Sequence, residues 1–302
     1  MSSTHFIPAS RLAARSISAA AAAKAPGQES ALSWRDKIDR LRGYLRPLGS
    51  VVVAYSGGVD SSLLLRVAHE VLGERAVAVI GRSDSYAAEE LRLALEQAAS
   101  FGARVEIVTT GELSDPNFRS NPANRCYHCK TELYRELREV AVRTGAGAML
   151  DGTIADDLGD WRPGRAAAAE QGVRSPLAEL GFTKADVRAA AADLGLGSRD
   201  KPASPCLASR IPYGVEITKE NLSIVEKAEA HLRSLGFCEL RVRHLGDTAR
   251  IEVPVADLPR LLQAGIRGRV VEGLKAAGYR SVAVDLEGFR SGSLNGALPT
   301  RS

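Results

Sequence analysis

The sequence predicts an α/β protein in which a doubly wound parallel sheet is followed by a smaller α+β domain. From Ser33 to about Gly195, short apolar runs alternate with amphipathic segments of helical length, which is typical of a parallel sheet with helices on both faces. Beyond that point a Pro-rich stretch, a long helix and alternating strands follow. We therefore divide the 302 residues into an extension (1–32), a first domain (33–200), a second domain (201–290) and a tail (291–302).

The first domain opens with a helix, because apolar residues recur at helical spacing after Ser33, a suitable N-cap. Four strands are then predicted, in chain order, at VVVAY, AVAVIG, RVEIVTT and GAMLDG. The helices between them are predicted at SSLLLRVAHEVLG, AAEELRLALEQAASFG and CKTELYRELREVAVRTG. Gly73, Gly102 and Gly145 stand where C-caps belong. Ligands of such a sheet bind at the carboxyl ends of its strands.

The second domain is predicted to mix one sheet with two helices. TKENLSIVEKAEAHLRSLG predicts a helix with Thr218 as its N-cap. ELRVRHL and ARIEVPV alternate apolar and polar residues as half-buried strands do, and RGRVVEGLKAAGYR and SVAVDLEG predict a further helix and strand. Cys238 stands among apolar residues at a strand start, so we expect it in the core.

Composition narrows the class of protein. The 40 basic and 36 acidic residues are interspersed and give a net charge of +4, so charge does not favour nucleic-acid binding. No apolar run approaches the ~18 residues of a membrane span, and the four cysteines do not suggest a secreted disulfide framework. The Ala- and Ser-rich extension is typical of either a transit peptide or a disordered segment, and we favour the latter. A cytoplasmic protein is expected.

Two glycines and three serines separate the first strand from the first sheet helix. In SGGVDSS, Gly57 and Gly58 permit torsions closed to other residues and a close approach of ligand. The loop amides and the helix N-terminus converge on one spot, which suits a phosphate group. The Gly-Lys-Ser/Thr ending of a Walker A loop and the G-x-G-x-x-G pattern are both absent. The alternative to a phosphate site is a purely structural strand-to-helix turn that is capped by serine.

SGGVDSS resembles the PP-loop of the N-type ATP pyrophosphatases, whose fold is that of the adenine nucleotide α-hydrolases. These enzymes hold the pyrophosphate part of ATP while AMP is transferred. The resemblance implies an ATP site at Ser56, Gly57, Gly58, Asp60, Ser61 and Ser62. Asp60 would also help to place Mg²⁺, although a first-turn helix acid is the plain alternative.

Three cysteines stand in two motifs. Cys126 and Cys129 form a C-x-x-C at a helix start, where the helix dipole, Arg125 and Lys130 favour thiolates. Cys206 lies in an irregular loop, SPCLASRIPYG. A redox pair, a zinc site, an iron–sulfur cluster with one open iron and an incidental motif all remain open at this point.

Seven blocks in one order resemble the LarE family, ATP-dependent sulfur-inserting enzymes that build the nickel-pincer nucleotide cofactor of lactate racemase. They are SGGVDSS, NRCYHCKTELY, DGTIADD with WRPG, SPL, PCLASRIPYG, LRVRHLGDTARIEV and GFRSGSLN. The family adenylates a carboxylate of pyridinium-3,5-biscarboxylic acid mononucleotide and converts it to a thiocarboxylate. One branch consumes a single cysteine, at the position of Cys206. The other holds a [4Fe–4S] cluster on three cysteines, and Cys126, Cys129 and Cys206 resemble that branch.

The resemblance also implies roles for further residues. Ser209, Arg210, Arg241 and Arg243 would bind the substrate phosphate; the strand arginines share one face, and their alternative is a solvated sheet face. Glu229 would be an acid near the active site, or else a surface glutamate. Asp151, Asp156 and Asp157 would meet ATP or Mg²⁺, and Trp161, Arg162 and Gly164 would continue the loop over the site. The family forms oligomers of packed dimers, up to a hexamer, with GFRSGSLN as an intersubunit element.

Two other functions compete with this one. A PP-loop tRNA thiolase would also join ATP to cluster-binding cysteines, but the chain lacks a strong basic face. A non-catalytic nucleotide-binding protein with a structural metal is the second alternative, and the full set of loop serines argues against it.

Overall fold

The computed structural model describes residues 32–159, 163–201 and 205–290, and residues from Leu32 onward form one compact unit. The first domain contains four strands, β1 (Val51–Ala54), β2 (Ala76–Arg82), β3 (Arg104–Thr109) and β4 (Ala148–Leu150). Its helices are α1 (Trp34–Leu45), α2 (Val59–Leu72), α3 (Ala88–Ser100), α4 (Pro116–Arg119), α5 (Arg125–Thr144), α6 (Gly164–Glu170), α7 (Pro176–Glu179) and α8 (Lys184–Asp193). All four predicted strands are present.

The four strands form one parallel sheet in the order β3-β2-β1-β4. Successive residues of β1 face opposite sides: Val51 and Val53 pack with α1, α2 and α8, whereas Val52 packs with α5 and α6. Both faces are therefore covered by helices, and a buried strand of this kind reads as a continuous apolar run. The doubly wound prediction is confirmed.

Helix starts follow the local capping chemistry. Ser33 and Asp36 form a capping box on α1, and the Thr218 hydroxyl accepts from the amide of Asn221 at the next domain's long helix. The cysteine helix α5 starts at Arg125, earlier than the predicted Cys129. Both cysteines of the C-x-x-C therefore lie inside its first turns.

The second domain is a three-stranded sheet covered by helices. Its elements are α9 (Lys219–Ser234), β5 (Arg241–Leu245), β6 (Thr248–Glu252), α10 (Leu258–Leu261), α11 (Ala264–Ala277) and β7 (Ser281–Val284). The strand order is β5-β6-β7, with β5 antiparallel and β7 parallel to β6. The prediction that Cys238 belongs to the core is wrong, because its side chain is exposed in the connection before β5.

Helix α9 also contacts the first domain. The Glu226 carboxylate accepts from the amide of Ala88 at 2.7 Å and so caps α3, whose own N-cap residue makes no side-chain bond. An apolar group shared by the two domains lies beside this contact, and we call it the junction group: Ala87, Phe118, Leu207, Ala208, Ile211, Ile217, Leu222 and Val225. Among the described residues, no helix has the length and apolar character needed to cross a membrane.

Candidate active site

The predicted phosphate loop is a compact serine-lined turn between β1 and α2. The Ser61 hydroxyl lies 3.2 Å from the Ser56 hydroxyl and donates to the carbonyl of Gly58 at 3.1 Å. Ser56 is exposed, whereas Ser61 and Ser62 are buried. The helix N-terminus therefore has an open face lined by hydroxyl and amide groups, which suits an anion.

Gly57 is the position where the loop requires glycine. Its φ is +67°, and a Cβ built there would lie 2.6 Å from the Cβ of Ala94 in α3. Both the backbone conformation and the lack of space exclude a side chain. On the same side, the Tyr86 hydroxyl donates to the carbonyl of Ser56 at 3.0 Å. The segment after β2 thus supports the phosphate loop from outside.

Asp60 forms an ion pair that the sequence did not predict. The ammonium group of Lys184, the first residue of α8, donates to both carboxylate oxygens at 2.9 and 2.8 Å. Both side chains are partly exposed. This places a positive charge next to the phosphate loop. Sequence proximity could not reveal it, since 124 positions separate the two residues.

Asp151 follows β4 at the carboxyl edge of the sheet, as predicted, but its carboxylate is engaged internally. It accepts from the Tyr134 hydroxyl at 2.9 Å, the Ser175 hydroxyl at 2.7 Å and the amide of Thr153 at 3.1 Å. Because these donors use both oxygens of a buried group, Asp151 orders the loop after β4. An ATP contact for it stays a prediction.

The acidic loop beyond Asp151 is only partly described. The carboxylate of Asp156 accepts from the amide of Lys184 at 2.8 Å, and that of Asp157 accepts from the amide of Ile154 at 3.1 Å. Gly164 begins α6, where a Cβ would meet Lys130 of α5 at 2.9 Å. The remaining predicted residues of this loop, Trp161 and Arg162, lie outside the described residues.

The three cysteines of interest lie around the junction group. Cys129 of α5 and Cys206 of the following loop both pack against it and are half-buried, while Cys126 is exposed. Within 32–159, 163–201 and 205–290, no group of three or more histidine, cysteine, aspartate or glutamate side chains could hold a metal ion. The predicted metal roles of Cys126, Cys129, Cys206 and Asp60 therefore remain predictions.

The surroundings of Cys129 act against the expected thiolate. Burial raises the pKa of Cys129 well above its ordinary value, and the nearby carboxylate of Glu112 and the thiols of Cys206 and Cys126 act in the same direction. Lys130 opposes this shift, but too weakly to reverse it. Glu112 is itself 2% exposed: one oxygen accepts from the Ser85 hydroxyl at 2.7 Å, and the other has no hydrogen-bond partner among the described residues.

Hydrogen bonds to its backbone groups hold the Cys206 loop in place. The carbonyl of Ser85, after β2, accepts from the amide of Leu207 at 2.8 Å. Arg210 reaches back to the carbonyls of Pro205 at 2.6 Å and Cys206 at 3.3 Å. Ser85 therefore joins two sites, since its neighbour Tyr86 contacts the phosphate loop.

Two of the three predicted phosphate-binding arginines are paired with buried carboxylates. Arg210 donates to both oxygens of Glu229 at 2.8 and 3.0 Å. Arg243 donates to both oxygens of Glu252 at 2.9 and 2.8 Å and to the carbonyl of Ser209 at 2.8 Å. The solvated-face alternative for the strand arginines is wrong, and so is the surface alternative for Glu229, because all of these side chains are buried.

The third arginine, Arg241, has no carboxylate partner among the described residues. Its side chain is 5% exposed and its guanidinium lies 4.7 Å from the centre of the Phe289 ring. Burial, together with the charges of Arg210 and Arg243, lowers the pKa of Arg241 to about 10, although the carboxylates of Glu252 and Glu229 partly oppose this shift. A buried cation without a counter-charge is costly, so this position favours an anion. The rest of GFRSGSLN beyond Arg290 lies outside the described residues.

The chain is similar in sequence to several known proteins. A pyridinium-3,5-bisthiocarboxylic acid mononucleotide synthase of Lactiplantibacillus plantarum is 43% identical over 255 residues, 84% of this chain and 92% of the relative. An uncharacterised protein of Synechocystis is 46% identical over 262 residues, 87% of this chain and 98% of the relative. A glutamine-dependent NAD(+) synthetase of Xylella fastidiosa is 39% identical over 82 residues, 26% of this chain and 15% of the relative.

No protein-family profile matches the chain. The two long alignments nevertheless extend over most of the sequence, and they cover nearly the full length of both relatives. Identity above 40% over that length establishes common descent and a common fold. The chain therefore belongs to the LarE family, that of the pyridinium-3,5-bisthiocarboxylic acid mononucleotide synthase.

Proposed function

We propose that this chain is an ATP-dependent sulfurtransferase that acts on pyridinium-3,5-biscarboxylic acid mononucleotide. The carboxylate of the substrate attacks the α-phosphate of ATP, and pyrophosphate leaves. A sulfur nucleophile then attacks the acyl adenylate, AMP leaves, and the product is a thiocarboxylate. The observation that carries this proposal is the extended identity to a relative named for making the bisthiocarboxylic product.

The phosphate loop supports the adenylation step. We propose that the exposed Ser56 hydroxyl and the amides at the start of α2 donate to the departing pyrophosphate, and the ammonium of Lys184 lies beside them on Asp60. The Ser61 hydroxyl instead donates within the loop. We propose that Lys184 meets the phosphates of bound ATP and that Asp60 then helps to place Mg²⁺, whose ligands are oxygen atoms. Charge that develops during transfer is best stabilised by such fixed groups.

The buried arginines support binding of the mononucleotide. Arg243 donates to the carbonyl of Ser209, three residues beyond Cys206, so the unpaired guanidinium of Arg241 in the same strand lies in the same part of the molecule as Cys206. A phosphate on Arg241 would relieve its uncompensated charge and anchor the substrate near the sulfur-bearing loop. Arg210 and Arg243 alone would not bind a phosphate as well, because buried carboxylates already balance their charges.

We propose that an iron–sulfur cluster on the three cysteines is the sulfur site. Each cysteine of a cubane binds a different iron, so three thiols need not converge on one ion, and Cys129 feels the charge of both other cysteines. Cys126, Cys129 and Cys206 would hold three irons. A [4Fe–4S] group held in this way supplies a place for an inorganic sulfide at the fourth iron.

The same proposal includes the location of the protein, its metal ion and its assembly. We infer that the protein works in the cytoplasm, where the thiols stay reduced, that Mg²⁺ accompanies ATP, and that chains associate as packed dimers that assemble further. Size-exclusion chromatography with light scattering tests the last of these. A strictly monomeric active protein would overturn it.

The first experiment separates this function from its alternatives. Purified protein is incubated with ATP–Mg²⁺ and either the pyridinium dicarboxylate mononucleotide or bulk tRNA, and pyrophosphate is measured. We expect release only with the mononucleotide. Release with tRNA would support a tRNA thiolase, and release with neither would support a nucleotide-binding protein without catalysis.

The second experiment identifies the sulfur source. Anaerobic purification should give brown protein with about four irons per chain, and this colour should be lost in Cys126→Ala. The mass of the protein should not change after turnover. Colourless protein that loses the mass of hydrogen sulfide at Cys206 would instead show that the cysteine sulfur is consumed and dehydroalanine is formed.

A further inference from the structure

Asn121 has an unusual environment just before the cysteine helix. It is the one non-glycine residue with positive φ in the described part of the chain, at 55°, and its side chain is 0% exposed. Asparagine tolerates this left-handed conformation better than most residues, but the conformation persists only where the surroundings impose it. The function proposed above gives Asn121 no role.

The side-chain amide of Asn121 binds the loop that follows Cys206. Its nitrogen lies 3.3 Å from the carbonyl of Ile211, 2.8 Å from that of Pro212 and 3.0 Å from that of Val215. The backbone carbonyl of Asn121 accepts from the amide of Gly214 at 3.0 Å. Because three carbonyls surround the nitrogen, the amide cannot be flipped without facing oxygen with oxygen.

The opposite end of the same amide binds the cysteine helix. The oxygen of Asn121 accepts from the guanidinium of Arg125 at 2.8 Å, and Arg125 is the residue next to Cys126. The Arg125 guanidinium also lies 4.8 Å from the centre of the ring of Tyr213, in the Cys206 loop. One buried side chain thus joins the element that carries Cys126 and Cys129 to the segment that carries Cys206.

We propose that Asn121 is a positioning residue that holds the Cys206 loop against the helix of Cys126 and Cys129. The carbonyl of Arg119 accepts from the amide of Ile217 at 2.8 Å, which adds a backbone hydrogen bond between the same two segments. Without the amide, the 211–215 turn would have three carbonyls to satisfy elsewhere, and Cys206 would lose its fixed distance from the helix. This inference rests on the proposed function only in assuming that the three cysteines take part in sulfur transfer.

The test measures alkylation of each cysteine in the full chain, without ATP, substrate or iron. Asn121→Gly keeps the left-handed backbone and removes the amide, and Asn121→Asp keeps the Arg125 contact but sets oxygen against the three carbonyls. We expect iodoacetamide to label Cys206 about tenfold faster in both variants, since fewer bonds oppose opening of the loop. Asn117→Ala, an exposed change in the same segment, and the exposed Cys238 should show no change.

Hydrogen exchange in β1 serves as the measure of global unfolding. Faster labelling of Cys206 that merely follows faster exchange in β1, or labelling at the wild-type rate, would overturn the proposal. If the variants fail to fold, the wild-type chain still tests it: the amides of Gly214 and Ile217 must be strongly protected from exchange, and unprotected amides would overturn it. Loss of sulfur transfer alone leaves these readouts unaffected, so the two proposals fail separately.

Discussion

At the scale of single residues, the candidate active site contains charged groups whose partners lie far away in the sequence. Asp60 was identified from its motif, but Lys184, the residue that it contacts, was not. Lys184 follows the capping threonine of α8, a position that carries no phosphate-binding signature of its own. Motifs predict which loop binds phosphate, whereas the neighbouring cation depends on tertiary packing.

We expect Asp60→Ala and Lys184→Ala each to reduce substrate-dependent pyrophosphate release about a hundredfold or more, because each removes a fixed charge from the site of phosphoryl transfer. Circular dichroism should show an unchanged fold, since both side chains are partly exposed. Lys219→Ala is the matched control, because Lys219 is also the first residue of a helix. Turnover of ATP at the wild-type rate by Asp60→Ala would remove that residue from the site.

The burial of Arg241 carries a cost for folding that the proposed phosphate contact would offset. Its pKa is lowered from 12.5 to about 10, so the folded state disfavours the charged form. The resulting loss of stability is fully present below pH ~10 and is relieved as pH rises through that value towards the unfolded one. Such a cost at neutral pH is understandable if a phosphate provides the missing counter-charge.

Arg241→Met should therefore raise the KM for the mononucleotide about thirtyfold or more, as expected for loss of charged hydrogen bonds. The ligand-free variant should unfold at an equal or higher temperature, since an apolar side chain replaces a buried charge. Steady-state kinetics and calorimetry measure the two effects. Arg267→Met, on the exposed face of α11, should change neither; an unchanged KM in Arg241→Met would exclude a phosphate contact.

At the scale of elements, helix α9 contacts the first domain through Glu226 and binds Arg210 and Arg233 through Glu229. Glu229 receives Arg210 and Arg233 and also accepts from the amide of Val242 at 3.1 Å, with 0% exposure. Glu226, on the same helix, caps α3. A single helix of the second domain therefore contacts both β5, the strand of Arg241 and Arg243, and the N-terminus of α3 beside the parallel sheet.

Glu229→Ala should lower the free energy of unfolding by about 3–5 kcal/mol, because it leaves the buried guanidinium of Arg210 without its carboxylate counter-charge. Urea unfolding followed by circular dichroism measures this. Glu220→Ala, an exposed first-turn position of the same helix, should cost far less. A loss below ~1 kcal/mol for Glu229→Ala would mean that the ion pair adds little in solution.

The elements themselves were largely predictable. β1 and β2 are buried on both faces and so appear in the sequence as uninterrupted apolar runs, and the caps at Ser33 and Thr218 are local signals. The start of α5 was not predictable, because Arg125 and Cys126 carry no strong helix signal. Cys238 was misplaced, because its apolar neighbours Phe237 and Leu240 are buried in the core whereas its own side chain is exposed.

At the scale of the whole molecule, helix α1 begins with a local signal of its own. Ser33 and Asp36 form a capping box at its N-terminus. We expect a chain that begins at Ser33 to keep the melting temperature and the activity of the full chain. The reason is that the sequence of residues 1–32 contains no long amphipathic face that could dock on the protein. Loss of either property on removal of residues 1–32 would show that they pack on the protein or serve its assembly.

The pairing of Arg241 with an aromatic ring instead of a carboxylate also affects how the protein is handled. Sulfate and inorganic phosphate are tetrahedral anions like the phosphate of a mononucleotide, so we expect a buffer that contains either to fill the proposed phosphate position and to compete with substrate. Apparent affinities measured in phosphate buffer should be weaker than those measured in an amine–chloride buffer at equal ionic strength. Crystals grown from ammonium sulfate should carry a sulfate beside Arg241 and Phe289.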